Sequence, residues 1–106
     1  MKVEKIISIV DSIKKNDFSD DAKIVWLNEA EGRIAFEILK MKPDEFRPLA
    51  SGEDELLAPE PYSKIYTLYI GAMIAFFKGD YNLYNRAVAE YENAFSEYAR
   101  YVIRNR

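Results

Sequence analysis

Histidine and cysteine are both absent from this chain of 106 residues. Without cysteine there is no disulfide framework, no thiol nucleophile and no zinc–thiolate site, which fits a reducing cytoplasm. Without histidine, the commonest general base and metal ligand is missing as well. The paired carboxylates do not replace it, because a di-iron bundle needs Glu-x-x-His pairs. We therefore expect no enzymatic activity, no metal site and no cofactor.

Long apolar runs and an excess of positive charge are also missing. The longest mainly apolar stretch, Ile65–Phe77, has 13 residues, whereas a membrane span needs about 20. The first residues, Met1–Lys5, lack the apolar core of a signal peptide. A net charge of −3 does not supply the basic face that grips nucleic acid. We expect neither membrane insertion nor sequence-specific nucleic-acid binding.

Helical patterning around one hydrophobic core is the main positive signal. Hydrophobic residues make up 49% of the sequence and charged residues 31%, which suits a single domain over residues 1–106. Apolar residues recur at helical spacing, and capping residues separate four segments. The prediction is an all-α protomer whose helices lie at about Val3–Lys15, Ser19–Met41, Pro61–Gly79 and Asp80–Arg104.

Each predicted helix has a set of residues that should face the core. In the first and second helices these sets are Val3, Ile6, Val10 and Ile13, then Ile24, Leu27, Ala30, Ile34, Ile38 and Met41. The third helix is apolar nearly all round and should be central, with Ile70, Ala72, Met73, Ile74 and Phe77 inaccessible. The fourth helix has a stripe with a 3.5-residue period, formed by Tyr84, Val88, Tyr91, Phe95, Tyr98 and Val102.

A long connection, residues 42–60, separates the second and third predicted helices. It contains three of the four prolines, and six acids against one arginine give residues 44–60 a net charge of −5. Connections of this length are usually functional or mobile. We expect this segment to be mobile in the isolated protein. Leu56 and Leu57 should then be buried by a neighbouring subunit or partner on assembly.

Glu31 falls in the middle of the apolar face of the second helix. A buried carboxylate without a partner is costly, so it should meet an Arg, a Lys or Tyr hydroxyls. The partner lies either within the protomer or across a subunit contact.

Gly32 and Gly71 each cost a helix about 1 kcal/mol relative to alanine, which predicts close helix contacts at both positions.

Eight tyrosines and six phenylalanines exceed what the volume of a small core requires. Tyrosine is enriched at protein interfaces, because its ring is apolar and its hydroxyl can stay wet. Some of Tyr62, Tyr66, Tyr69, Tyr81 and Tyr101 should therefore line a subunit contact. The predicted interface comprises Glu31, Leu56, Leu57, Tyr62, Tyr66, Tyr81, Tyr101 and Arg104.

Positive charge is concentrated in the last residues of the chain. Arg100, Arg104 and Arg106 occur with no acid among residues 100–106. Cations at a helix C-terminus complement the helix dipole, which is a sufficient structural explanation. The alternative is that these arginines form a positively charged contact site for an acidic partner surface.

Three segments resemble the small head–tail connector (adaptor) proteins of tailed phages and prophages. They are Lys23–Ile34, with the string W-L-N-E-A-E-G-R-I, then Leu56–Tyr62, and Gly79–Asn85 leading into Phe95. The resemblance covers about residues 20–100. It implies a four-helix protomer that assembles into a ring on the portal protein, extends the DNA channel and contacts tail or stopper proteins. The protein would then occupy the host cytoplasm during assembly and the head–tail junction of the virion.

Two other functions fit parts of the sequence. One is a small regulatory or antitoxin-like protein that forms a stable dimer. The other is a small helical enzyme of the mutase or nucleotide-processing kind, which would need inward-facing Arg and Lys around a polar pocket. The second is disfavoured because the basic residues mostly fall on the predicted outer faces.

Overall fold

Four helices form the fold in the computed structural model, which describes all residues Met1–Arg106. They are α1 (Val3–Ile13), α2 (Asp20–Arg33), α3 (Lys64–Phe77) and α4 (Tyr81–Arg104). α2 continues without a break into a π-helical turn, Ile34–Ile38. There is no β-strand, so the predicted all-α class is confirmed. None of the helices combines the length and the apolar composition that crossing a bilayer would take.

The predicted caps fix two of the helix starts. Ser19 Oγ accepts a hydrogen bond from Ala22 N–H at 3.1 Å, and Asp80 Oδ1 accepts one from Leu83 N–H at 3.1 Å. Each bond satisfies an amide that has no partner inside its helix. Between α3 and α4, Gly79 adopts φ +78°, a left-handed conformation that glycine enters without steric cost.

Two helix boundaries lie three residues from their predicted positions. The second helix stops before Met41, because Lys40 adopts the left-handed conformation with φ +57° and turns the chain away. α3 starts at Lys64 instead of Pro61. The reason is a turn in which Tyr62 N–H donates to Pro59 O at 2.8 Å.

α3 lies at the centre and packs against α1, α2 and α4. Ile70, Ala72 and Ile74 are at most 2% exposed, as predicted. Met73 is only half-buried, and the prediction for Phe77 is wrong, because this side chain is 58% exposed. Phe77 is the last residue of α3 and extends past the core.

The other helices also bury part of their predicted faces. In α4 the middle of the stripe, Tyr91, Phe95 and Tyr98, is buried within the protomer. Ile13 was predicted to be buried but is 74% exposed. It is the last residue of α1.

The two mid-helix glycines do not mark tight helix contacts. A Cβ added at Gly32 would meet no atom within 4 Å, and one at Gly71 would meet only Lys14 Cε at 3.9 Å. The predicted close approach is therefore wrong at both positions.

The central segment, residues 39–63, is packed onto the helices. Leu56 N–H donates to Met1 O at 3.0 Å, and Glu4 N–H donates to Gly52 O at 2.8 Å. Leu49, Leu56 and Ala58 are part of the hydrophobic core. Residues 49–58 were expected to form a mobile loop, but in the structure they pack against α1 and α2.

Candidate contact surfaces

Glu31 forms the centre of a buried hydrogen-bond network. The residue is 2% exposed. Its carboxylate accepts hydrogen bonds from the Tyr66 hydroxyl at 2.5 Å and from Leu57 N–H at 2.8 Å. The Tyr66 hydroxyl accepts in turn from Ala58 N–H at 2.9 Å. The predicted pairing of Glu31 with a tyrosine hydroxyl is confirmed, and it lies within the protomer.

Burial dominates the electrostatics of this network. It raises the pKa of Glu31, while the hydrogen bonds from Tyr66 and Leu57 oppose the rise. The pKa of Tyr66 is raised above its ordinary value by burial and by the negative charge of Glu31. No buried side-chain nitrogen or oxygen lacks a partner. The network thus joins α2, α3 and residues 57–58 at no cost in unsatisfied polar groups.

Burial inside the protomer removes part of the predicted interface. Glu31, Leu56 and Tyr66 are all at most 7% exposed, so a second subunit cannot reach them without opening the core. Leu56 is covered by its own chain, not by a neighbour as expected, because Met1 and α1 hold residues 52–56. Leu57 is half-buried.

Three other predicted residues come together at the C-terminal end of α4. The Tyr62 ring lies 4.9 Å from the Tyr101 ring and 5.2 Å from the Tyr98 ring, measured between centroids. Tyr62, Tyr101, Arg100 and Arg104 line a shallow hollow of about 350 Å³. Tyr101 is 41% exposed. We call the surface formed by these four residues the tyrosine–arginine end.

Tyr81 lies at the opposite end of α4, in a second group of exposed aromatic side chains. Phe76, Phe77 and Tyr81 are 43%, 58% and 58% exposed. The Phe77 ring stacks on Trp26, with 5.7 Å between centroids, and Phe18 packs edge-on to Trp26 at 5.3 Å. We call the surface formed by these five residues the aromatic end.

A groove of about 250 Å³ lies between α1, α3 and α4. Val10, Leu68 and Leu83 line it together with the basic residues Lys14 and Arg86. Gly71 also lines this groove. No group of three or more acidic side chains that could hold a metal ion occurs anywhere in the chain.

No family model matches this chain, and no curated protein or solved structure is significantly similar to it. The comparisons therefore leave the connector resemblance a prediction.

The aromatic end was largely missed from the sequence, where Tyr81 was its only predicted member. A signal was present, because Phe76 and Phe77 are adjacent and neighbouring side chains on a helix point about 100° apart. Two such residues at a helix C-terminus cannot both enter the same core.

Two cations that link α2 to neighbouring helices were also missed. Lys23 is 2% exposed although basic residues were expected on outer faces. Its Nζ donates to Asp11 at 2.8 Å and to Phe18 O at 2.9 Å. The hydrogen bond from Lys23 is the main reason that the pKa of Asp11 is lowered.

Arg33 links α2 to α4. Its guanidinium donates to both carboxylate oxygens of Glu92, at 2.7 and 3.1 Å, and lies 3.9 Å from the centre of the Phe95 ring. The bond to Glu92 raises the pKa of Arg33 further above its ordinary value. Bidentate pairing and ring stacking are the arrangement that arginine suits better than lysine.

Proposed function

We propose that this chain is a head–tail connector (adaptor) protein of a tailed phage or prophage. It would assemble into a ring on the portal protein and extend the DNA channel towards the tail or stopper proteins. The structural observation that supports this proposal is the exposure of aromatic side chains at both ends of α4. Clustered exposed aromatics are characteristic of surfaces that another protein covers.

The two ends are different surfaces and are far apart. Tyr81 and Tyr101 are separated by 20 residues of one helix, or roughly 30 Å at 1.5 Å per residue. A protomer with two different contact surfaces can use them in heterologous contacts, which close into rings when the rotation permits. The acidic residues of the central segment would suit a channel wall that repels DNA phosphates and lets DNA slide.

The test is assembly on the portal ring encoded by the same genome. We expect negative-stain images of the mixture to show an additional ring on the portal. Tyr81→Ser and Tyr101→Ser should each reduce the amount bound, because each removes an exposed ring. Val25→Ser is the matched control, since Val25 is 59% exposed and belongs to neither end.

Failure of the wild-type protein to bind the portal ring, or a genome without a portal gene, would contradict the connector function. A stable dimer that does not bind the portal would instead favour the alternative function, a small regulatory or antitoxin-like protein. Localisation follows the same outcome: the connector is expected in the host cytoplasm during assembly and at the head–tail junction of the virion.

A further inference from the structure

The tyrosine–arginine end combines aromatic rings with uncompensated positive charge. Arg100 and Arg104 are exposed, and no acid occurs among residues 100–106. The nearest acid in the hollow, Glu97, is paired with Lys64 at 3.2 Å. Neither Arg100 nor Arg104 forms a salt bridge within the protomer. Both guanidinium groups are therefore free to bind another molecule.

The aromatic end offers ring faces with the opposite balance of charge. Its flanking turns carry four exposed aspartates, Asp17, Asp20, Asp21 and Asp80, and three lysines, Lys14, Lys15 and Lys78. The balance is −1, against +3 for residues 100–106. Asp11 and Lys23 lie nearby but neutralise each other at 2.8 Å.

Guanidinium groups bind aromatic faces, and the protomer itself contains an example. Arg33 lies 3.9 Å from the centre of the Phe95 ring, within the range of a cation–π contact. The exposed rings of Phe76, Phe77 and Tyr81 have no such cation above them. Arginines from another molecule would fill that position and would meet the aspartates around it.

The two ends of one copy cannot bind each other, because α4 is a single continuous helix that holds them apart. We propose that the tyrosine–arginine end of one copy binds the aromatic end of a second copy of this chain. The contact is heterologous, so each copy keeps one free end and assembly continues head to tail. This proposal deepens the connector function and rests on it, because it assigns the contact that would build the ring.

The test is complementation between two variants, followed by sedimentation velocity. Phe77→Ser/Tyr81→Ser removes the two most exposed rings of the aromatic end, and Arg100→Glu/Arg104→Glu reverses the charge of the tyrosine–arginine end. Each variant alone should self-associate at least roughly tenfold more weakly than the wild type, since each loses two contacts of the cation–π kind. Mixed in equal amounts, the two should form a one-to-one dimer that does not grow, because only one intact end of each remains.

Two controls keep this experiment decisive. Lys5→Glu/Arg86→Glu makes the same change of charge at exposed positions outside both ends, and it should associate like the wild type. Circular dichroism checks folding. If the Phe77 variant does not fold, Tyr81→Ser alone replaces it, because Tyr81 is 58% exposed and Phe76, at 6.0 Å, is the only aromatic ring beside it.

Wild-type protein that stays monomeric at its highest soluble concentration would overturn the proposal. So would a variant mixture in which no dimer forms, or a control that associates as weakly as the variants. These results are separable from the connector function. Portal binding without formation of the one-to-one dimer would contradict only the end-to-end contact. Formation of the dimer without portal binding would contradict only the connector function.

Discussion

At the residue scale, Glu31 shows how a carboxylate can belong to a core. The Tyr66 hydroxyl and Leu57 N–H donate to it directly, and Ala58 N–H donates to the Tyr66 hydroxyl; all three donors are distant from Glu31 in sequence. The group therefore fixes the end of the central segment against α2 and α3. Its role is positional, since every polar atom around it is satisfied.

Glu31→Ala should lower the free energy of unfolding by about 3 kcal/mol. The substitution leaves the Tyr66 hydroxyl and Leu57 N–H without an acceptor, and each stranded donor costs about 1–3 kcal/mol. Urea denaturation measures the change. Glu29→Ala is the control on the same helix, because Glu29 is exposed and accepts only an exposed hydrogen bond, from the Tyr69 hydroxyl at 3.1 Å; it should change stability by less than about 1 kcal/mol. Equal effects would show that the buried network contributes nothing special.

Glu31 should also make stability depend on pH. Because burial raises its folded-state pKa above the ordinary value of 4.5, the folded protein holds this proton more tightly than the unfolded chain. Its stabilising contribution is therefore complete below about pH 4.5 and is lost as the pH rises through the folded-state pKa. Unfolding measured across this window should show that decline in the wild type and not in Glu31→Gln. An identical slope in both proteins would assign the effect to another group.

At the element scale, the left-handed residues at the two helix ends differ in how well they suit their conformation. Lys40 (φ +57°) holds a side chain in a backbone region that favours glycine. Gly79 (φ +78°) has no side chain, so it adopts this region without strain. Lys40→Gly should raise the free energy of unfolding by about 1 kcal/mol, and Gly79→Ala should lower it by about 1 kcal/mol.

Thermal or urea unfolding of the two variants tests this. A Cβ at Gly79 would meet nothing within 4 Å, so any loss there comes from the backbone conformation and not from a clash. Opposite signs are expected; a destabilised Lys40→Gly protein would show that the lysine side chain has a stabilising role.

Asn28 connects α2 to the central segment through both groups of its amide. Its Nδ2 donates to Leu49 O at 3.0 Å, and its Oδ1 accepts from Leu49 N–H at 2.6 Å. Asn28→Ala should therefore speed hydrogen exchange at Leu49 and its neighbours. Leu56 N–H is held separately by Met1 and should be unchanged. Faster exchange at both residues would mean that residues 49–58 open as one unit.

Local patterns were sufficient to predict the helices but not the path between them. Ser19, Gly79 and Asp80 act through bonds or conformations within a few residues, so the sequence indicates them directly. The partners of the central segment are distant: Leu49 meets Asn28, and Leu56 meets Met1. Such pairings depend on how the helices pack, which no local spacing specifies. The aromatic end was missed because Phe77 was assigned to the core and Phe76 was not assigned to any surface.

At the scale of the whole molecule, the fold is an elongated body of 39 × 27 × 22 Å. α4 has 24 residues and therefore runs nearly its full length, roughly 36 Å. The helix thus acts as a rigid spacer that fixes the distance between the two exposed ends. If the ends bind one another in successive copies, the repeat distance of the assembly is set mainly by this helix.

The stacking of Phe77 on Trp26 has a practical consequence. Trp26 is the only tryptophan, and it is 7% exposed beneath a ring that is itself in water. A molecule that covers Phe77 would change the polarity around the indole, and so its emission wavelength. Emission from the unlabelled wild type should therefore shift with protein concentration, while that of Arg100→Glu/Arg104→Glu should not. The chain carries its own fluorescent reporter at the surface where contact is expected.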